Sequence, residues 1–289
     1  MPTLHPPFDE AISFEAAMAS EKFYLARHET EPYAHVRVER DVHYGPGDRQ
    51  KLDVYIPEGN GSGRPVMVFV HGGNFVGGDK SRSGSPYYDN VGLWAARRGC
   101  VGVIITYRLA PQFGWPTGAL DVAAAVARVV AGAADWGGDP RGIVLVGASA
   151  GAFHVADYLT RFRNPGDGVR GAALLSGIYD PAAFEDRDVL IGYLGDDENG
   201  WPTPSLDLLL PQSGVPLLIG VAEYDPVRYH KQARLAIDAV HNGTGKLPHI
   251  AWVAGHSHLT EIHHLNAEES TLGANLGAFI NAVTEGRPQ

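Results

Sequence analysis

Residues Gly142-Ile143-Val144-Leu145-Val146-Gly147-Ala148-Ser149-Ala150-Gly151-Ala152 decide the fold. An almost wholly apolar run stops at a glycine, and a serine between small residues follows. Strands covered on both faces read this way, which implies a parallel sheet with helices on each side. The Gly-x-Ser-x-Gly stretch predicts a tight strand-to-helix turn, its small residues letting strand and helix approach closely.

Working outward, runs of the same kind recur at Pro65–Val70, Val101–Ile105, Gly171–Leu175, Val215–Ile219 and His249–Val253. Between them lie helical stretches at Leu120–Ala134, Ala152–Arg163, Arg228–Val240 and Ala267–Val283. Six parallel strands at this spacing predict one doubly wound α/β domain over residues 1–289. Val36–Tyr44 and Lys51–Ile56 alternate apolar and polar residues, with Gly45-Pro46-Gly47-Asp48 as the turn. They predict a half-exposed antiparallel edge that brings the sheet to about eight strands. Two pieces read as additions to this core and as cap elements. One is residues 1–30, with an amphipathic helix over Phe8–Arg27 and Asp9 available as its cap. The other is 184–212, rich in Gly, Asp and Pro.

The chain has 289 residues, 44% of them apolar and 19% charged, enough to bury a core. Its formal charge of −10, without a basic run, speaks against binding nucleic acid or an anionic membrane. The single cysteine, Cys100, excludes an internal disulfide and a cysteine-based zinc cluster. The start of the chain has no cationic segment leading into an apolar one, so a cytoplasmic protein is expected.

A serine on such a turn becomes a nucleophile only beside an imidazole base whose other nitrogen is held by an acceptor. The chain order should then be serine, acid, histidine, each beyond the end of a later strand. Asp225 and His258 meet that order after the runs ending near Val221 and Val253. Glu223 is the rival acid but sits closer to its strand, and His256 is the rival base. His71-Gly72-Gly73-Asn74-Phe75 follows the first parallel strand. Its glycines would let the backbone N–H groups of Gly73 and Asn74 join that of Ala150 around an oxyanion. His71 reads as an organiser of that loop. Phe75, Trp115, Tyr179 and Trp201 are the aromatic residues expected around the pocket. A metal site could be imagined from His256, His258, His263, His264 and Glu261, but it would leave the serine turn unexplained; neither metal nor cofactor is expected.

Four stretches now carry a family likeness: His71-Gly72-Gly73, Tyr107-Arg108-Leu109-Ala110-Pro111, Gly147–Gly151 and Glu223-Tyr224-Asp225-Pro226. With His258 they resemble, in order, the α/β-hydrolase esterases of the hormone-sensitive-lipase-like and feruloyl-esterase-like group. Asn74-Phe75, where a third glycine is usual, is closer to the feruloyl-esterase and kynurenine-formamidase branches. The resemblance implies a metal-independent serine hydrolase of small carboxylic esters, with a capped pocket. It leaves room for an arylformamidase with the same residues, for a catalytically inactive ligand receptor, and for a homodimer paired through an edge strand.

Overall fold

A computed structural model of the chain describes residues 12–59, 61–202, 205–267 and 270–285. The apolar runs become the centre of an eight-stranded sheet ordered β1-β2-β4-β3-β5-β6-β7-β8. Its strands are β1 (Val36–His43), β2 (Lys51–Pro57), β3 (Arg64–Val70), β4 (Val101–Ile105), β5 (Gly138–Ala148), β6 (Val169–Leu175), β7 (Leu217–Ala222) and β8 (His249–Val253). Strands β3 to β8 are mutually parallel, while β1 and β2 run antiparallel.

The helices are α1 (Phe14–Leu25), α2 (Asp89–Arg97), α3 (Thr117–Gly132), α4 (Ala150–Asp157), α5 (Arg187–Leu194), α6 (Leu206–Leu209), α7 (Val227–Thr244), α8 (Thr260–His263) and α9 (Thr271–Glu285). They cover both faces because the strand side chains alternate. In β3, Val66, Val68 and Val70 enter the core shared with α3, α4 and α7. Met67 and Phe69 enter the core shared with α2 and α9. Burying each such side chain stabilises by about 1.5–3 kcal/mol. The stretch Thr117–Trp136 is long and apolar enough to cross a membrane, yet half of it is buried here against neighbouring elements. At the far edge, β8 leaves Ile250 and Trp252 about half exposed.

Three expectations are corrected. Strand β2 is buried on both faces, not half exposed, because α2 packs over it and its polar residue is neutralised there. Asp53 is wholly buried between Arg40 at 2.8 Å and Lys80 at 3.0 Å. The N-terminal helix starts later than Phe8, with Ser13 as its cap accepting from the Ala16 N–H at 3.1 Å. Asp9 lies outside the described residues. The helix expected over Ala152–Arg163 begins at Ala150 and passes into a π-helical turn, Tyr158–Phe162, after Asp157. Thr160 there returns its hydroxyl to the Ala156 carbonyl at 2.8 Å, a bond that competes with regular helix.

Candidate active site

The turn after β5 is as sharp as its residues allow. Ser149 has φ 54° and ψ −120°, a left-handed conformation that a non-glycine residue adopts only when its surroundings impose it. The neighbours explain the imposition. A Cβ on Gly151 would fall 2.0 Å from the Val70 carbonyl oxygen, and one on Gly147 would fall 2.5 Å from that of Gly151. Only glycine fits where the start of α4 crosses the ends of β3 and β5. The Ser149 N–H donates to the Leu175 carbonyl at 2.8 Å, and its side chain stands at the carboxyl end of the sheet.

The loops after β7 and β8 meet beside it. His258 Nδ1 lies 2.6 Å from Asp225 Oδ1. The other carboxylate oxygen accepts from Ser176 Oγ at 2.6 Å and from the Ala222 N–H at 2.8 Å. Asp225 is thus buried with a partner on each oxygen, which fixes its plane and that of the imidazole. The rivals are occupied elsewhere. Glu223 accepts from the Gly255 N–H at 2.7 Å, tying the two loops together. His256 faces Thr260 and stacks on His264 at 4.7 Å, and burial pushes it down to about 4. With the His256 and His258 rings directed to different partners, the imagined metal set is not assembled. Among the described residues no group of three or more His, Cys, Asp or Glu could hold a metal ion.

The loop after β3 forms the facing wall. Gly73, Asn74 and Phe75 all have positive φ, at 128°, 51° and 65°. The turn closes through Val76 N–H to the Gly73 carbonyl at 3.1 Å. The Tyr107–Pro111 stretch pins it: the Tyr107 hydroxyl donates to the His71 carbonyl at 2.9 Å, and the Ala110 N–H donates to the Phe75 carbonyl at 3.0 Å. His71 stacks on Tyr107 at 4.5 Å and contacts its neighbour's carbonyl, Gly72 O, through Nδ1 at 2.6 Å; burial pushes it down to about 4, so the ring is neutral. This suits an organiser of the loop. Among the described residues the N–H groups of Gly73, Asn74 and Ala150 make no hydrogen bond within the chain, so they remain available to an oxygen near Ser149.

A chamber of about 390 Å³ brings Gly73, Asn74, Ser149 and His258 together. The four aromatic residues expected to line it do not. Positive φ turns Phe75 into the core, where it stacks on Tyr193 at 4.6 Å. Trp115 donates to Asp157 at 2.9 Å, away from the chamber. Tyr179 is fully buried, its hydroxyl directed to the Leu174 carbonyl at 3.3 Å. Trp201 is buried against Gly195, its indole N–H donating to that carbonyl at 2.8 Å. The apolar lining comes instead from Ile12, Ala17 and Met18 on or before α1, with Val76, Leu259 and Ile262. Of the two additions to the core, α1 borders the chamber, and none of its described lining comes from 184–212.

Solved structures share this arrangement of strands and helices. Esterase B from Lactobacillus rhamnosis superposes with a TM-score of 0.72, at 17% identity over 94% of this chain and 96% of that one. EstE1, a thermostable carboxylesterase from a metagenomic library, gives 0.71 at 24% identity over 95% and 97%. The chain has the α/β-hydrolase fold. In sequence, the family model BD-FAE matches residues 52–164. The chain is 34% identical over 120 residues to the isoprenylcysteine α-carbonyl methylesterase of Arabidopsis thaliana, covering 42% of this chain and 27% of that protein. Esterase LipQ of Mycobacterium tuberculosis is 34% identical over 153 residues, 48% of this chain and 35% of its own length. Carboxylesterase NlhH of the same species is 32% identical over 222 residues, 66% and 65%. The alignments with the methylesterase and LipQ thus span about a third of those relatives or less.

Two residues of this site were not read from sequence, and a third, Glu261, was read only as part of the imagined metal set. Ser176, at φ 45° just past β6, holds the Asp225 carboxylate. Tyr229, in the first turn of α7, packs its ring on His258 at 4.3 Å, with its phenol beside the Ser149 hydroxyl. Burial pushes its phenol up to about 12, so it stays protonated. Glu261 on α8 is buried, and neither carboxyl oxygen has a hydrogen-bond partner among the described residues. Burial, then the charge of Asp225, holds it well above the usual carboxylate range. Its place three residues after His258 was the available signal.

Proposed function

We propose that the chain is a serine esterase that cleaves small carboxylic esters through an acyl-enzyme. Ser149 attacks the ester carbonyl while His258 Nε2 takes its proton, and Asp225 keeps the imidazole in the tautomer that can accept it. The N–H groups of Gly73, Asn74 and Ala150 donate to the oxyanion, each such donor worth about 3–4 kcal/mol in the transition state. His258 then passes the proton to the leaving alcohol, and water repeats the sequence on the acyl-enzyme.

The observation that carries this reading is the strained Ser149 opening into one chamber with His258, whose Nδ1 is 2.6 Å from a buried carboxylate. Steady-state hydrolysis of p-nitrophenyl acetate to decanoate by wild type and Ser149→Ala tests it. Turnover that vanishes in the variant is expected. No turnover with any ester, together with deformylation of N-formyl aromatic amines, would replace the esterase by an amidase using the same residues.

A further inference from the structure

We propose that a second compartment beside the chamber receives the long apolar arm of the ester, and that the Glu21–Arg82 ion pair is the partition this arm displaces. The inference rests on the esterase reading and adds a substrate class to it. The compartment has a volume of about 690 Å³ and lies between α1 and the loop at Arg82–Tyr87. It shares Met18, Glu21 and Arg82 with the chamber that holds Ser149, so the two hollows meet at those three side chains.

The face of α1 that borders it is mostly exposed. Met18, Glu21, Lys22 and Leu25 follow the i, i+3, i+4, i+7 spacing and share one side of the helix. The side of Ser20 and Tyr24 does the packing, with those residues 0% and 4% exposed. Met18 and Leu25 stay 41% and 46% exposed, two large apolar side chains over one hollow that adjoins the nucleophile. Scattered apolar residues need no explanation, but two that line a single cavity of ligand size do. Covering them with an alkyl chain would remove apolar surface from water on both partners. The partition is easily moved. Arg82 and Glu21 are ion-paired with the arginine side chain 52% exposed and the glutamate 16%, so the arginine end of the pair is free to swing into solvent and the pair stabilises modestly. The Arg82 guanidinium also donates to Ser85 Oγ at 3.4 Å.

The test is the ratio of kcat/KM for a long ester to that for p-nitrophenyl acetate, taking p-nitrophenyl decanoate for a long acyl arm and decyl acetate for a long alcohol arm. Leu25→Glu, at an exposed position on the last turn of α1, should lower that ratio about tenfold for one of the two long esters. Arg82→Gln should raise the same ratio severalfold. Ratios within twofold of wild type in both variants, for both long esters, would overturn the inference while leaving the esterase intact. If wild type cleaves no ester, the functional reading has failed and the compartment is tested on its own by calorimetric binding of decanoate. Binding weakened about tenfold in Leu25→Glu would uphold it, and binding that is absent or unchanged would not.

Discussion

The floor of the site and its roof are built by different means. The floor consists of loops at the ends of β3, β5, β7 and β8, and each functional group there is fixed from several sides. Asp225 alone has His258, Ser176 and a backbone N–H on its two oxygens. The roof is α1, which rests on α8 through a few polar ties. Ser20 Oγ meets His263 Nδ1 at 2.7 Å, and His28 Nε2 meets the His263 carbonyl at 2.7 Å. A floor held by strand termini keeps chemistry in place, whereas a roof on side-chain ties can vary what enters without disturbing the sheet.

The largest expected effect is in the floor. Asp225→Asn should lower kcat on the order of 10⁴-fold through the wrong imidazole tautomer. Glu223→Gln, which keeps an acceptor for Gly255, should stay within about threefold of wild type, since only Asp225 touches the imidazole. Steady-state kinetics of the pair would break the comparison if the losses were reversed.

Acid acts on both regions. Burial pushes His71 and His256 down to about 4 and His154 and His263 down to about 3, so all four are neutral in the folded chain. The unfolded chain takes up these protons below about 6.5, so stability is complete above that pH. It is lost progressively as the pH falls from there toward 4 and 3. Each histidine should withdraw about 2 kcal/mol by pH 5. Urea unfolding between pH 7 and 5 measures this, and a flat midpoint would contradict it.

A smaller effect is expected at Tyr229. Tyr229→Phe keeps the ring on His258 and removes the hydroxyl beside Ser149, and losing a polar contact worth about 1 kcal/mol predicts kcat lowered about fivefold with KM unchanged. Equal kcat would leave the ring, not the hydroxyl, as the part that matters. In the roof, Ser20→Ala should cost about 1–2 kcal/mol of stability, because it leaves the buried His263 nitrogen unpaired. Its kcat on p-nitrophenyl acetate should change less than threefold; a larger change would tie the roof to the chemistry.

The floor was legible in sequence because each of its residues follows the end of an apolar strand. Ser149, Asp225 and His258 could be placed from chain order and from the glycines that permit the turn. Tyr229 carries no such mark, and Ser176 follows an apolar strand without showing in sequence which carboxylate it meets; their roles depend on how β6 and α7 approach the site in space. The aromatic lining was misjudged for a related reason. Phe75 lies beside the chamber in sequence, yet positive φ at Asn74 and Phe75 swings its ring to the opposite side of the loop. In the roof, Met18 and Leu25 look like the core face of an amphipathic helix. Only the packing of Ser20 and Tyr24 against α8 reveals that the face is turned outward.

The most direct measurement is intact-mass and peptide mapping after treatment with a fluorophosphonate, which phosphonylates a serine only where a base and an oxyanion site activate it. The account predicts one adduct, on Ser149, absent from Ser149→Ala and formed at least a thousandfold more slowly in Asp225→Asn. No adduct on the wild-type chain, or one on another residue, would contradict it.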